Sequence, residues 1–465
     1  MLVSSFAWAA IPLSAHAGGG GAHPNVLVIL TDDQKADWFP GNPLLTTNGR
    51  ESFMPVTESS LMARGVTFRN AFVTNPVCCP SRASILTGTY SHTNEVWTNG
   101  EPDGGFEAFD DSSTLATWLD DAGYRTGFFG KYLNGYAAAA PYIPPGWDRW
   151  LAHVRPGYFD YSFNDDGAIA ESDGTWAGTV IADQAIEFIE AGGRPFFGLV
   201  APYVPHKDFG TGGAPKPNVG DESRFHDEEA YRPPSYNERH VDDKPRWVRR
   251  IPRWRAEAKE RTDAFRLLQY RTLFGWDREY GRILSALEST GELADTLIVF
   301  LSDNGYEWGE HRLIGKSKPY DGSVRIPFFL RYDAKPLIAA HQGETVRDLA
   351  LNIDVAPTIA RIAGARVPRW VDGENLVGVL RGQVERRAFA VEHVDGGGPP
   401  PFCAIRTRNE LFVRYSTGEE EYYDYRIDPW EETNRADRRS VMRRVDALRD
   451  RAKDTCVPTP PGFSW

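Results

Sequence analysis

Three short stretches carry side chains that could bind and transform an anion. In Val77-Cys78-Cys79-Pro80-Ser81-Arg82 a thiol stands four residues before a guanidinium, with the helix-opening residues Pro80 and Ser81 between them. That spacing sets Cys78 just ahead of a helix N-terminus, where backbone N–H groups and the helix dipole favour negative charge. Asp32-Asp33 and Asp303-Asn304 each follow an apolar run. Three carboxylates and an amide make a hard, all-oxygen donor set suited to Ca²⁺, or to Mg²⁺ in a tighter site. Carboxylates crowded together repel one another, so a cation among them is also electrostatically sensible. Either pair alone has an ordinary reading as a turn cap; two pairs at strand ends around the Cys78 segment weigh more.

Such residues need elements to bring them together. Asn25 to Leu30 is a continuous apolar, β-branched run, the pattern of a strand buried on both faces. Gly127 to Phe129, Pro195 to Val200 and Leu297 to Leu301 read the same way, with helical stretches at Thr114 to Leu119 and Ala256 to Leu287. Strands alternating with helices imply an α/β fold, a large mostly parallel or mixed sheet flanked by helices. In such sheets the chemistry lies beyond the carboxyl ends of the strands. Three of these runs do end in polar residues: Thr31 to Gln34, Tyr203 to His206, and Ser302 to Gly305. After about residue 385 the runs become short and alternating (Phe389 to Val391, Ala404 to Thr407, Leu411 to Arg414, Tyr422 to Tyr425), followed by a polar stretch from Arg438 to Lys453. This predicts a small antiparallel sheet with a helix, and divides the chain into residues 1–22, 23–385 and 386–465.

Composition excludes several classes. A formal charge of −12 disfavours a general nucleic-acid binder, which needs a basic surface. Four cysteines in 465 residues cannot make a disulfide scaffold. Cys403 and Cys456 could pair in an exported protein or remain thiols, and Cys79 reads as a small buried hydrophobe. Leu2 to Ala15 is largely apolar, and Ala15-His16-Ala17 has the form of a signal-peptidase site, so residues 1–22 read as an export signal and Gly-rich linker. No stretch reaches the roughly 20 apolar residues of a membrane span. Within Lys244 to Arg261, Arg246, Arg249, Arg250, Arg253 and Arg255 interleave with Trp247 and Trp254. That segment has two readings: a surface for an anionic chain, or a solvated helix entry with packed tryptophans.

The run Cys78-Cys79-Pro80-Ser81-Arg82 with Leu86-Thr87-Gly88 resembles the signature of the type I sulfatases. Gly130-Lys131-Tyr132, Ala201 to His206, Gly315 to Pro327, Asn352 to Thr358 and Glu421 to Pro429 are similar to further segments of that family, so the resemblance covers most of the chain. It implies the alkaline-phosphatase-like fold and oxidation of Cys78 to formylglycine by a formylglycine-generating enzyme. It also implies a Ca²⁺ (or Mg²⁺) site at Asp32, Asp33, Asp303, Asn304 and the modified Cys78. Lys131, His206 and Lys316 have dull readings singly, as surface lysines and a loop histidine. The resemblance gives Lys131 and Arg82 the sulfate, and places His206 and Lys316 at the leaving oxygen.

Where many sulfatases carry a histidine two residues after this lysine, the chain has Leu133, followed by Asn134. The Lys-Tyr-Leu-Asn form and the paired cysteines resemble the glucosamine-6-sulfatase branch. Asn134, His92 and His311 are the polar candidates for the substrate side, though an amide is no base at neutral pH. The expected activity is hydrolysis of an aryl or carbohydrate sulfate ester by a secreted or periplasmic enzyme. A phosphonate or phosphodiester hydrolase on the same scaffold is the alternative, and a non-catalytic binder of sulfated glycans a further one.

Overall fold

The structure, a computed structural model, describes residues 23–36, 52–209, 213–394 and 398–465. The expected export signal and linker lie outside the described residues. Ten strands form the main sheet: β1 (Asn25–Thr31), β2 (Val66–Phe72), β3 (Arg125–Gly130), β4 (Arg149–Arg155), β5 (Ser162–Asp165), β6 (Ala168–Glu171), β7 (Phe196–Ala201) and β8 (Thr296–Ser302), then, past a two-stranded ribbon of β9 (Glu307–Trp308) and β10 (Ile314–Gly315), β11 (Phe328–Arg331) and β12 (Glu344–Leu351). Their spatial order is β12-β2-β11-β8-β1-β7-β3-β4-β5-β6. The central run β8-β1-β7-β3-β4 is parallel, as is β12 on β2. Antiparallel β11 sits between β2 and β8, and β5 and β6 fold back at the far edge. The sheet is therefore mixed, with its parallel part at the centre.

Alternation along each central strand feeds two cores. Val26, Val28 and Leu30 of β1 and Leu297, Val299 and Leu301 of β8 face one layer, while Leu27, Ile29, Ile298 and Phe300 face the other. The first layer holds helices α1 (Cys78–Thr87), α2 (Leu115–Asp121) and, further along, α5 (Val355–Ile362); the second holds α3 (Ala177–Glu190) and α4 (Ala256–Ser289). The strands read from sequence are all present. The hairpin β5–β6 was not read because both strands are only four residues long and β6 is exposed throughout. Its turn, Asp166-Gly167 with both φ positive (47° and 92°), carries the Asp-Gly hairpin signal.

The small sheet is β13 (Phe389–His393), β14 (Phe402–Arg406), β15 (Glu410–Tyr415) and β16 (Glu420–Asp424), an antiparallel meander. Phe389, Val391, Phe402, Ala404, Leu411, Val413 and Tyr423 point into the first core of the large unit. Ala390, Cys403, Ile405, Phe412 and Tyr422 point the other way, onto Val445, Leu448 and Ala452 of helix α6 (Met442–Thr455). That helix begins four residues later than the polar stretch predicts, because Arg438 to Val441 are taken up in turns. Cys403 and Cys456 are disulfide-bonded, with Cα atoms 6.4 Å apart, tying the end of α6 to β14. Among the described residues no helix is long and apolar enough to cross a membrane.

Candidate active site

Four adjacent parallel strands, β8, β1, β7 and β3, end at one edge of the sheet, and each delivers site residues there. Backbone bonds continue past the strand ends: Asp32 N–H to Val204 O (2.9 Å), Asp303 N–H to Thr31 O (3.0 Å) and Lys131 N–H to Ala201 O (2.8 Å). Gly130, just before Lys131, has φ 121°, and a Cβ there would lie 2.0 Å from Ala201 O. Only glycine fits that close approach. Helix α1 opens at Cys78 after extended Val77; its ten residues are all buried, and Cys79 N–H donates to Asn99 Oδ1 at 2.9 Å. The sequence pattern sets Cys78 just ahead of the helix; in the structure Cys78 is the first helical residue, so the helix opens two residues before Pro80-Ser81.

One ligand atom from each of Asp32, Asp33, Cys78 and His206 lies within 4.8 Å of the others, all four residues being buried. The Cys78 thiol, which marks where a derived oxygen would stand, is 3.4 Å from Asp32 Oδ1, and Lys316 Nζ lies 2.5 Å from its sulfur. Lys316 also pairs with Asp33, and Lys131 with Asp32. Arg82 donates through Nε to Asp303 Oδ2 (2.7 Å) and through Nη1 to the Lys131 carbonyl. Asp33 N–H donates to Asp303 Oδ1 (3.2 Å), and Asn304 Nδ2 to Asp33 Oδ1 (2.7 Å). The structure thus joins all nine of the strand-end, helix and lysine-segment residues singled out from sequence: Asp32, Asp33, Cys78, Arg82, Lys131, His206, Asp303, Asn304 and Lys316.

Opposite charges in a dry site shape the ionisation. Burial pushes the Asp32 carboxyl up, but Lys131, His206, Arg82 and Lys316 outweigh it and hold Asp32 well below the usual carboxylate range. Asp303 is pushed up to about 6, by burial first and then by Asp32. Burial, with Asp32 added, also pushes the Cys78 thiol well above its ordinary value despite the two lysines. Unmodified Cys78 is therefore a neutral thiol and a poor nucleophile. Burial lowers His206 to about 4, so its ring is neutral. His206 Nδ1 is 2.7 Å from Lys207 O and donates to it, which leaves a lone pair on Nε2, 3.8 Å from Asp33.

Two orphaned groups show what the pocket is built to receive. Asn304 Oδ1 is buried without a hydrogen-bond partner while its Nδ2 is engaged, an acceptor left free beside three carboxylates. This hard-oxygen set fits a Ca²⁺ or Mg²⁺ ion. Arg82 Nη2 is buried without a hydrogen-bond acceptor, a donor left free for an anion's oxygen.

Other expected residues have different surroundings. His92 is stacked on Tyr90 and bonded to Glu392 at 2.6 Å, and His311 is bonded to Glu238 at 2.8 Å and packed on Tyr320. Both are held by carboxylates that only the fold supplies. Asn134 lies behind α1, its carbonyl 3.9 Å from the Cys79 sulfur, and Leu133 is buried in the core. Sequence reasoning missed Tyr203 and Tyr158. The Tyr203 hydroxyl sits 2.9 Å from His206 Nδ1, and the Tyr158 hydroxyl donates to His206 O at 2.6 Å. An aromatic three residues before the histidine was the available signal for Tyr203.

A sheet of this order with a charged site at its parallel edge defines an alkaline-phosphatase-like α/β protein. The sulfatase family model matches residues 24–365, and the N-sulphoglucosamine sulphohydrolase C-terminal model matches residues 309–456. The chain belongs to the sulfatase family. It is 34% identical over 367 residues to the extracellular sulfatase SULF-1 homolog of Drosophila melanogaster, covering 77% of this chain but 31% of that protein. Identity to the N-acetylglucosamine-6-sulfatase of Homo sapiens is 31% over 384 residues, 78% of this chain and 65% of the human one. A solved structure described as in complex with its substrate D-glucosamine-2-N,6-O-disulfate superposes with a TM-score of 0.81, at 22% identity, over 95% of this chain and 100% of that one.

Proposed function

We propose that this chain hydrolyses sulfate esters of sugars, with 6-O-sulfated glucosamine as the substrate class, using a formylglycine made from Cys78 by a formylglycine-generating enzyme in an export pathway. The observation that carries this reading is the pair of orphaned buried atoms Arg82 Nη2 and Asn304 Oδ1, one donor for a sulfuryl oxygen and one acceptor for a cation, on residues bonded to Asp303 and Asp33. Relatives of this chain named as N-acetylglucosamine-6-sulfatases and as extracellular sulfatases support the substrate class and the location.

Asp32, Asp33, Asp303 and Asn304 would hold Ca²⁺ (or Mg²⁺). A cation there supplies charge stabilisation to the sulfuryl oxygens and acidity to a nearby hydroxyl, and hydrated formylglycine supplies that hydroxyl as the nucleophile. Arg82 and Lys131, locked by Asp303 and Asp32, are pre-aimed donors for the spreading negative charge. Lys316, against Cys78, neutralises charge on the leaving side. His206, anchored at Nδ1 by Lys207 O, presents Nε2 to the leaving oxygen, taking a proton from solvent and passing it on.

The test is sulfate release from glucosamine 6-sulfate by protein co-produced with a formylglycine-generating enzyme, beside a matched aryl phosphodiester. Peptide mass spectrometry across Cys78 accompanies it. Formylglycine at position 78 with faster sulfate release is expected; a faster phosphodiester, or no turnover by fully modified protein, would overturn the proposal. Chelation supplies a second readout: removing Ca²⁺ should lower the unfolding temperature, since an ion at 100-fold its Kd contributes about 2.7 kcal/mol.

A further inference from the structure

The basic stretch of the sequence forms an exposed strap beside the catalytic loop. Its tryptophans face inward: Trp247 packs on Tyr320 (6.3 Å between rings) and Tyr415, and Trp254 on Tyr236 (6.0 Å). Asn237 brackets the Trp254 backbone, accepting its N–H at 2.7 Å and donating to its carbonyl at 3.1 Å. Arg312 reaches from the catalytic loop to the carbonyls of Ile251 (2.9 Å), Glu238 (2.9 Å) and Arg239 (3.0 Å). Arg312 and Tyr320 stand four residues before and after Lys316, so the strap is fastened to both flanks of the loop that carries this lysine.

With the tryptophans turned in, the arginines are turned out. Arg246, Arg249, Arg250, Arg253 and Arg255 are all exposed. Arg249 reaches Glu419 at 3.5 Å; among the described residues the guanidinium groups of the other four have no carboxylate partner. No acidic residue interrupts positions 244–256. On a chain of net charge −12 this is a locally bare positive ridge, held rigid by Pro245, Pro252 and the inward tryptophans. The arginines of the C-terminal helix and the turns before it differ: Arg438, Arg439, Arg443 and Arg451 are interspersed with Asp437, Asp446, Asp450 and Asp454.

We propose that the Arg246–Arg255 strap is a docking surface for a linear sulfated polysaccharide, which it holds against the loop of Lys316 while one sulfate ester enters the site. The proposal rests on the sulfate-ester reading given above. A planar guanidinium pairs bidentately with a sulfate group, and a row of them matches a chain that carries a sulfate at regular intervals. The strap is fastened to the flanks of the Lys316 loop and, among the described residues, makes no contact with Cys78, so its contribution is expected on polymers and not on a monosaccharide.

The experiment replaces Arg246, Arg250, Arg253 and Arg255 together by Gln in the full, modified enzyme, with Arg438, Arg439, Arg443 and Arg451 to Gln as a charge-matched control. The wild type should stay on immobilised heparin to a higher salt concentration than the strap variant, with the control variant close to wild type. Losing four charge contacts should weaken heparin binding about tenfold or more and raise KM for a sulfated polymer in step. The kcat/KM for glucosamine 6-sulfate should not change, and Arg→Lys at the same four positions should restore only part of the retention, since an ammonium keeps the charge but not the bidentate fork. Equal elution of wild type and strap variant, or equal losses in both Gln variants, would overturn the proposal. So would strap-dependent retention on single-stranded DNA at the same salt, which would make the ridge a general polyanion surface. Absence of sulfate release from glucosamine 6-sulfate by the wild type would instead overturn the hydrolase reading, and the heparin elution difference would still decide the strap.

Discussion

Arg82 illustrates how one side chain can set a site by geometry rather than by charge alone. Its Nε is fixed by Asp303 at 2.7 Å and its Nη1 by the Lys131 carbonyl, which leaves Nη2, 3.7 Å from Asp32 Oδ2, without a hydrogen-bond acceptor. Lysine at this position keeps the charge but cannot hold two anchors and present a third donor. Arg82→Lys should therefore lower kcat/KM for a sulfate ester by about 100-fold, in the range seen on removing one oriented donor from an oxyanion site. The unfolding temperature should move far less than in Arg82→Ala, which strands Asp303 in a dry pocket. A variant within threefold of wild type would show that orientation at Arg82 does not matter.

At the scale of elements, the loop between β9 and β11 depends on a buried clamp. His311, held by Glu238 and Glu431 against the opposing effect of burial, is pushed up to about 9 from an ordinary 6.5. A group whose pKa is raised by folding stabilises the fold fully below its unfolded pKa and loses that contribution as pH rises through its folded pKa. Stability should thus decline between about pH 6.5 and pH 9, and His311→Gln should flatten that slope. Denaturant melts at intervals across this window measure it; an equal slope in the variant would place the pH dependence elsewhere. The Cys403–Cys456 disulfide acts on another element, α6. It closes a loop of 53 residues, so the Cys403→Ala, Cys456→Ala variant should lose roughly 4 kcal/mol by the chain-entropy relation, read from its denaturation midpoint.

For the whole molecule, the decisive feature is that the small sheet shares a core with the large one. Phe389, Phe402, Leu411 and Tyr423 are buried together with Phe72, Tyr320 and Val324 of the larger unit, and the Phe72 and Phe389 rings pack in a tilted pair 5.2 Å apart. Tyr320, Tyr415 and Tyr423 converge on the buried Glu421, so polar contacts cross the same boundary. Two units with a common interior cannot unfold independently at low cost. Calorimetry should give one transition for the full chain, and a chain ending at residue 385 should not fold. Two separated transitions would contradict the shared core.

Much of the site was legible in the amino-acid order because its residues are local to strand ends and to one helix start. Apolar runs marked β1, β7 and β8, the polar residues after them named Asp32, Asp33, His206, Asp303 and Asn304, and Pro80-Ser81 set Cys78 just ahead of α1, whose first residue it is. The chain's own chemistry thus determined which side chains could act and which ion would suit them. What it could not carry were partnerships across hundreds of residues. His92 and His311 looked available until Glu392 and Glu238 were brought to them, and Tyr203 gained its place behind His206 from the curl of one loop. The two readings of the 244–261 stretch stayed open in sequence for the same reason. Whether a tryptophan faces in or out depends on what the fold sets beneath it, here Tyr320, Tyr415 and Tyr236. Local pattern fixes periodicity and donor chemistry; only tertiary packing decides burial, and burial decides which charges are paired and which are left free.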